Sequence, residues 1–330
     1  MDADQNREED FKKEQKVFKN NAYILIEKMV EMESETEADT SELVDELLHA
    51  VFFLGRLIFS GVPESIFEGN DELLDYLQST YPGPFEHYSS RLPRRSPFSC
   101  VLDMIVHLIG QENEDKIKDQ LNDLDKELKQ HENSKILKST IVCVSRVNIE
   151  SQTPTSVRYY GVSMSTHRRP ARQILIAACC LNFWDDYVAD AVMSYYPQKK
   201  KKKYFDGTIQ LPADVRCEAF NIKERRTMAP CLACRDLFGL ETTETEKKSP
   251  YGNCAEPESL SKMFKSNGDV KERVRRPGHG SNNGWERAKQ DVLRQLKQEL
   301  NDNRYFQWDG FFYTPQSAGP DDEAEDVTFE

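Results

Sequence analysis

The sequence predicts an α/β domain behind an all-helical N-terminal region, and three observations predict it. Up to about Gln130, apolar residues recur at helical spacing between charged ones. Near Ser134 the character changes to runs rich in Ile, Val and Thr, the residue types that favour strands. Further on, two short cysteine motifs stand where helices are expected to begin, Pro230-Cys231-Leu232-Ala233-Cys234 and Cys254-Ala255-Glu256.

The elements follow in order. Phe18, Ala22, Ile26 and Met29 share one face of a first helix after a charged opening turn. Leu43, Leu47, Val51, Leu54 and Ile58 line a second helix, with Ser41 as its expected N-cap. Tyr81-Pro82-Gly83-Pro84 reads as a bend, and Pro93 and Pro97 as further turns. Val101, Ile105 and Leu108 make another apolar face, and Ile117, Leu121, Leu124 and Leu128 extend a highly charged helix. Residues 136–149 and 157–164 read as two strands joined by a turn over 150–155, an antiparallel hairpin. Pro170 opens one long helix through Ile174, Leu181, Trp184 and Val188 towards Tyr195. Residues 204–211 and 215–222 read as further strands, 241–248 as a charged loop, 285–300 as a last helix and 311–313 as a final strand. The expected organisation is a helical region over 1–134, an α/β domain over 135–315 and an acidic, disordered tail over 316–330.

Composition narrows the function classes. The chain has 330 residues, 38% hydrophobic and 31% charged, with a formal net charge of -13. Such an acidic protein is a poor general nucleic-acid binder, so any nucleic-acid role must rest on a local basic surface. The longest apolar stretch, Leu47 to Ile58, is interrupted by His49, Gly55 and Arg56 and is too short to span a bilayer. The acidic, polar start is unlike a signal or transit peptide, and eight scattered cysteines do not form a disulfide framework. The expected compartment is cytoplasm or nucleus, with no membrane partner.

Cys231, Cys234 and Cys254 offer three thiolates to a metal, and Glu256 sets a carboxylate beside them. Three protein ligands leave the fourth tetrahedral position open, the layout of a catalytic zinc. Helix starts favour the thiolate form, because unpaired N–H groups and the positive dipole end point at the sulfur. Pro230 and Pro257 fit the first turns of such helices. Other readings stay open. Cys231 and Cys234 also fit a redox pair, half of a structural zinc site, or two buried thiols. Cys217 is the candidate fourth ligand that would close the shell. Glu256 also fits a carboxylate that only complements the helix dipole, as does Glu258.

These residues resemble the zinc-dependent cytidine-deaminase-like superfamily, whose signature is His-x-Glu or Cys-x-Glu on one helix and Pro-Cys-x-x-Cys on another. The resemblance spans Lys138 to Phe264. It implies a mixed sheet flanked by helices, with Zn2+ held by Cys254, Cys231 and Cys234 and Glu256 as the general acid/base. The implied reaction is hydrolysis of the exocyclic amine of a cytosine- or adenine-type base, free or in nucleic acid. The two motifs stand here in the reverse of the family's order. Expected partners are a nucleoside, a nucleotide or single-stranded nucleic acid, and a protein docked on the N-terminal helices. The alternatives are an inactive deaminase-like interaction protein and a nucleic-acid-binding factor with a structural zinc.

The run Lys199-Lys200-Lys201-Lys202-Lys203, flanked by Tyr195, Tyr196, Tyr204 and Phe205, fits either phosphate and base contacts or a solvated loop or import signal. Arg168, Arg169, Arg172, Arg225 and Arg226 are further basic positions. Tyr159 and Tyr160 read as sheet packing. Among the histidines, only His167 is expected near the core.

Overall fold

A computed structural model describes residues 2–130, 135–148, 156–166, 168–198, 200–245, 249–277, 282–301 and 303–317. The turn read over 150–155, His167, Lys199 and the tail from 318 lie outside the described residues.

The N-terminal region is helical, as its periodicity predicts: α1 (Asp2–Ser34), α2 (Ser41–Phe59), α3 (Asp71–Thr80), α4 (Pro82–His87), α5 (Pro97–Ile109) and α6 (Glu114–Glu127). The predicted apolar positions of α1, α2, α5 and α6, from Phe18 to Leu124, are buried in the chain's own core, except Leu43, Ile58 and Leu108, which are half-buried against it. Three details differ from expectation. Ser41 is the first helical residue rather than the N-cap; Thr40 holds that place, and the Ser41 hydroxyl donates to Asp39. Pro82 and Pro97 open helices instead of marking bends, because a first-turn N–H is not needed for helix bonding. His49 is fully buried and stacks on Tyr313 with ring centroids 3.8 Å apart.

The C-terminal part is mixed α/β. Strands β1 (Ile141–Val147) and β2 (Tyr159–Val162) form the expected hairpin, and α7 (Arg169–Ala178) follows. The single long helix expected from Pro170 is broken. A π segment at Cys179–Phe183 and an extended Trp184 separate α7 from α8 (Asp186–Met193), whose N-cap Asp185 accepts from Tyr187 N. Then come β3 (Val215–Asn221), β4 (Arg226–Met228), α9 (Leu232–Phe238), α10 (Glu256–Ser266), α11 (Gly268–Arg273) and α12 (Asn282–Asn301). Residues 204–211 and 311–313 are not strands; each makes only an isolated bridge, Gln210 with Arg275 and Phe312 with Leu92.

The sheet order is β2-β1-β3-β4, and every described pairing is antiparallel, where a mixed sheet was expected. Helix α10 lies across β1, β2 and β3, and α5 packs on β2. Gly161 permits this approach. A Cβ there would stand 2.4 Å from Ser259 N and 2.5 Å from Ala255 O. The chain returns at 303–317 to the helical region, where Tyr313 N donates to Leu92 O and the Tyr313 hydroxyl donates to Asp45. Among the described residues no helix is long and apolar enough to cross a membrane.

Candidate metal centre

Two turns bring the cysteines together. Cys231 is the N-cap of α9, with extended backbone, and Cys234 lies in its first turn. Gly239 ends α9 with φ +68, a left-handed conformation that glycine adopts without Cβ strain. Cys254 sits in the turn before α10, not on the helix, which starts at Glu256 with Pro257 in its first turn. Gly252 has φ +83, and a Cβ there would meet Ile176 Cγ2 at 2.8 Å, so this turn needs glycine twice over. Met164 N donates to Asn253 O and ties the turn to the chain just after β2. The Tyr251 hydroxyl donates to Asp236 on α9, which links the two ligand segments directly.

The Cys231 Sγ is 3.4 Å from Cys254 Sγ and 3.8 Å from Cys234 Sγ, and all three sulfurs lie within 4.8 Å of one another. Thiolates around one tetrahedral ion with Zn–S of ~2.3 Å would be ~3.8 Å apart. The donor set therefore fits a single soft or borderline metal ion. Its electrostatics agree. Contacts with the Cys234 and Cys254 sulfurs, and the nearby backbone N–H groups of Cys234 and Ser249, hold the Cys231 thiol far below its usual range. Their bonds to Cys231, together with burial, push Cys234 and Cys254 well up.

Glu256 is 3% exposed, and burial pushes its carboxyl up to about 7. Its own N–H, the Cys234 thiol and the Ala255 N–H oppose that rise, while the nearby Cys231 sulfur adds to it. Glu258, the competing candidate in the sequence, is committed elsewhere. Its Oε2 accepts from Val162 N at 3.1 Å, and its Oε1 accepts from Ser99 Oγ at 2.5 Å and Lys262 Nζ at 2.6 Å. Lys262 also donates to Asp103, which pairs with Arg95, and Arg95 donates twice to Glu46. This buried ionic network ties α10 to α5 and α2. Sequence reasoning missed it; the one available signal was the i,i+4 spacing of Glu258 and Lys262.

Cys217 does not close the shell. Its Sγ lies 3.4 Å from Cys143 Sγ across the β1–β3 pairing. Among the described residues no fourth His, Cys, Asp or Glu joins the three cysteines within the same radius. The other basic positions are in ion pairs or on the surface. Arg168 pairs with Glu14 on α1, Arg225 with Asp119 and Arg226 with Glu224, while Arg169 is exposed and Arg172 half-buried. Tyr160 is buried against the sheet, and its hydroxyl donates to Gln111 O. Comparison with protein-family models, with curated proteins and with solved structures finds no match to this chain.

Proposed function

We propose that the protein is a zinc-dependent hydrolase of the cytidine-deaminase-like kind, acting on the exocyclic amine of a cytosine- or adenine-type base, free or in nucleic acid. The observation that carries this reading is the meeting of Cys231, Cys234 and Cys254 from two separate turns, with buried Glu256 opening the helix two residues after Cys254. Ligation has no requirement for chain order, so the reversed motifs still deliver the three thiols to one place.

Zinc held by the three cysteines would supply a water activated for attack at neutral pH. Glu256 does the proton work. Its carboxylate carries one proton of the attacking water to the ring nitrogen and then the second, from the hydroxyl on the tetrahedral carbon, to the departing amine. Overall, water and the amino-substituted base give the oxo base and ammonia. Burial keeps bulk water from competing for the Glu256 proton. The Glu258 network holds the helix that carries Glu256 against β2.

The test is metal content and ammonia release for wild type and Glu256→Gln against nucleosides, RNA and single-stranded DNA. The reading expects full metal in both, with release in the variant lower by about 10²–10⁴-fold. Full metal in wild type with no ammonia from any substrate would overturn it. That outcome would favour an interaction protein that keeps the metal, a reading supported by how little of Cys234 and Glu256 reaches the surface. A nucleic-acid factor with a closed structural zinc loses its candidate fourth ligand, because Cys217 pairs with Cys143.

A further inference from the structure

Lysines of the run border a cleft of about 430 Å³ between residues 197–198 and 200–204 on one side and α12 on the other. Lys200, Lys201, Lys202, Lys203 and Arg294 line it, and among the described residues Asp291 is the one acidic residue on its walls. That carboxylate is already taken, by the Tyr204 hydroxyl on one oxygen and Arg294 on the other. Lys201 pairs with Asp206, and Lys200 and Lys203 are exposed.

Lys202 differs from its neighbours. Its Nζ is buried and has no hydrogen-bond partner among the described residues. The segment that carries it is held in place, since Lys202 N donates to Ser194 O and Gly207 N donates to Ser194 Oγ. A buried ammonium without a partner is costly, so this arrangement is unfavourable unless an anion completes it. Burial already draws the Lys202 pKa down to about 8, the direction an anionic partner would reverse. Lysines on one wall and the Arg294 guanidinium on the other suit a tetrahedral oxyanion with more than one charged oxygen. In a chain of net charge -13, such a local excess of cations calls for its own account.

We propose that this cleft binds a phosphate group, with Lys202 Nζ as the inner donor and Lys200, Lys203 and Arg294 as the rim. The proposal is independent of any chemistry at the cysteines. The two places are nonetheless linked. Lys201 Nζ lies 6.0 Å from the Tyr195 ring, which stacks at 3.9 Å on Tyr251, in the turn that carries Cys254.

The test is calorimetric titration of the full chain with inorganic phosphate, a nucleoside monophosphate, the matching nucleoside and a single-stranded oligonucleotide. Phosphate-bearing probes should bind, and Lys202→Met should weaken them by at least about tenfold, while Lys116→Gln on α6 changes nothing. Equal affinity for monophosphate and oligonucleotide would identify a free phosphate ester as the ligand. Tighter, steeply salt-dependent oligonucleotide binding would identify a backbone phosphate. Both results support the site. Thermal melting gives a second readout: phosphate should raise the wild-type melting temperature but not that of Lys202→Met. Without phosphate that variant should melt no lower than wild type, since it removes an unpaired buried charge. If it fails to fold, the exposed pair Lys200→Gln/Lys203→Gln must still weaken phosphate binding. Failure of every phosphate probe to bind wild type, or undiminished binding in the variants, overturns the proposal.

Discussion

Replacing Gly161 by alanine tests how tightly the metal centre depends on the packing of α10 against the sheet. The backbone at Gly161 is not left-handed, so the substitution brings no conformational strain of its own. It brings a collision. The new Cβ would stand 2.4 Å from Ser259 N, 2.5 Å from Ala255 O and 2.9 Å from Glu258 Cβ. Ordinary contact is near ~3.5 Å, so the start of α10 must retreat by roughly 1 Å. The two nearest atoms are backbone and cannot rotate aside. Overpacking of this kind costs about 1–3 kcal/mol, and the rigid contact places Gly161→Ala at the upper end. Metal–ligand distances tolerate only ~0.2 Å, and Ala255 sits between Cys254 and Glu256, so the same displacement should fall on the metal site. Expressed as affinity, 1.4–3 kcal/mol is about 10–100-fold weaker binding. Urea denaturation and competition with a chromophoric chelator would measure the two losses. Gly268→Ala, where a Cβ meets nothing within 4 Å, is the control. Wild-type stability and metal affinity in Gly161→Ala would refute the reasoning.

Other substitutions address separate parts of the account. Glu258→Ala should cost about 3–5 kcal/mol by chemical denaturation, because it leaves buried Lys262 short of a partner; a loss below about 1 kcal/mol would show the network to be incidental. Asp45 and His49 should give opposite pH slopes of stability. Burial pushes Asp45 up to about 7, so its contribution is full below its usual 3.8 and is lost as pH rises towards 7. Burial holds His49 near 3, so its contribution is present above 6.5 and is lost as pH falls towards 3. Across the shared window, Asp45→Asn should steepen the rise of stability with pH and His49→Phe should turn it into a fall. Unchanged slopes of the urea midpoint in both variants would contradict these assignments. Cys217→Ser should keep the wild-type metal stoichiometry and Cys231→Ser should lose it; equal loss in both would put Cys217 back in the shell.

The helices were legible where one apolar face repeats without interruption, as from Phe18 to Met29 and from Leu47 to Ile58, because that face is what packing buries. The hairpin was legible from its β-branched runs. Residues 204–211 misled because Tyr204, Phe205, Ile209 and Leu211 carry strand-like side chains. Their backbone goes elsewhere: Ile209 N and Leu211 N donate to Leu237 O and Phe238 O, the last carbonyls of α9. The helix from Pro170 misled for a related reason. Its apolar spacing continues through Leu181 to Val188, while the π segment and the Asp185 cap break the backbone beneath it. The cysteine trio was legible from spacing and residue type alone. The Glu258 network was not, since Ser99 and Val162 lie far from it in sequence and only the fold brings them to it. Nor did the chain of lysines indicate that the Lys202 Nζ is buried without a hydrogen-bond partner among the described residues.

X-ray absorption at the zinc edge of the purified, metal-loaded protein tests the central claim most directly. The account predicts one zinc per chain with three sulfur neighbours at about 2.3 Å and one oxygen or nitrogen at about 2.0 Å. Four sulfur neighbours, or a chain that takes up no zinc, would contradict it.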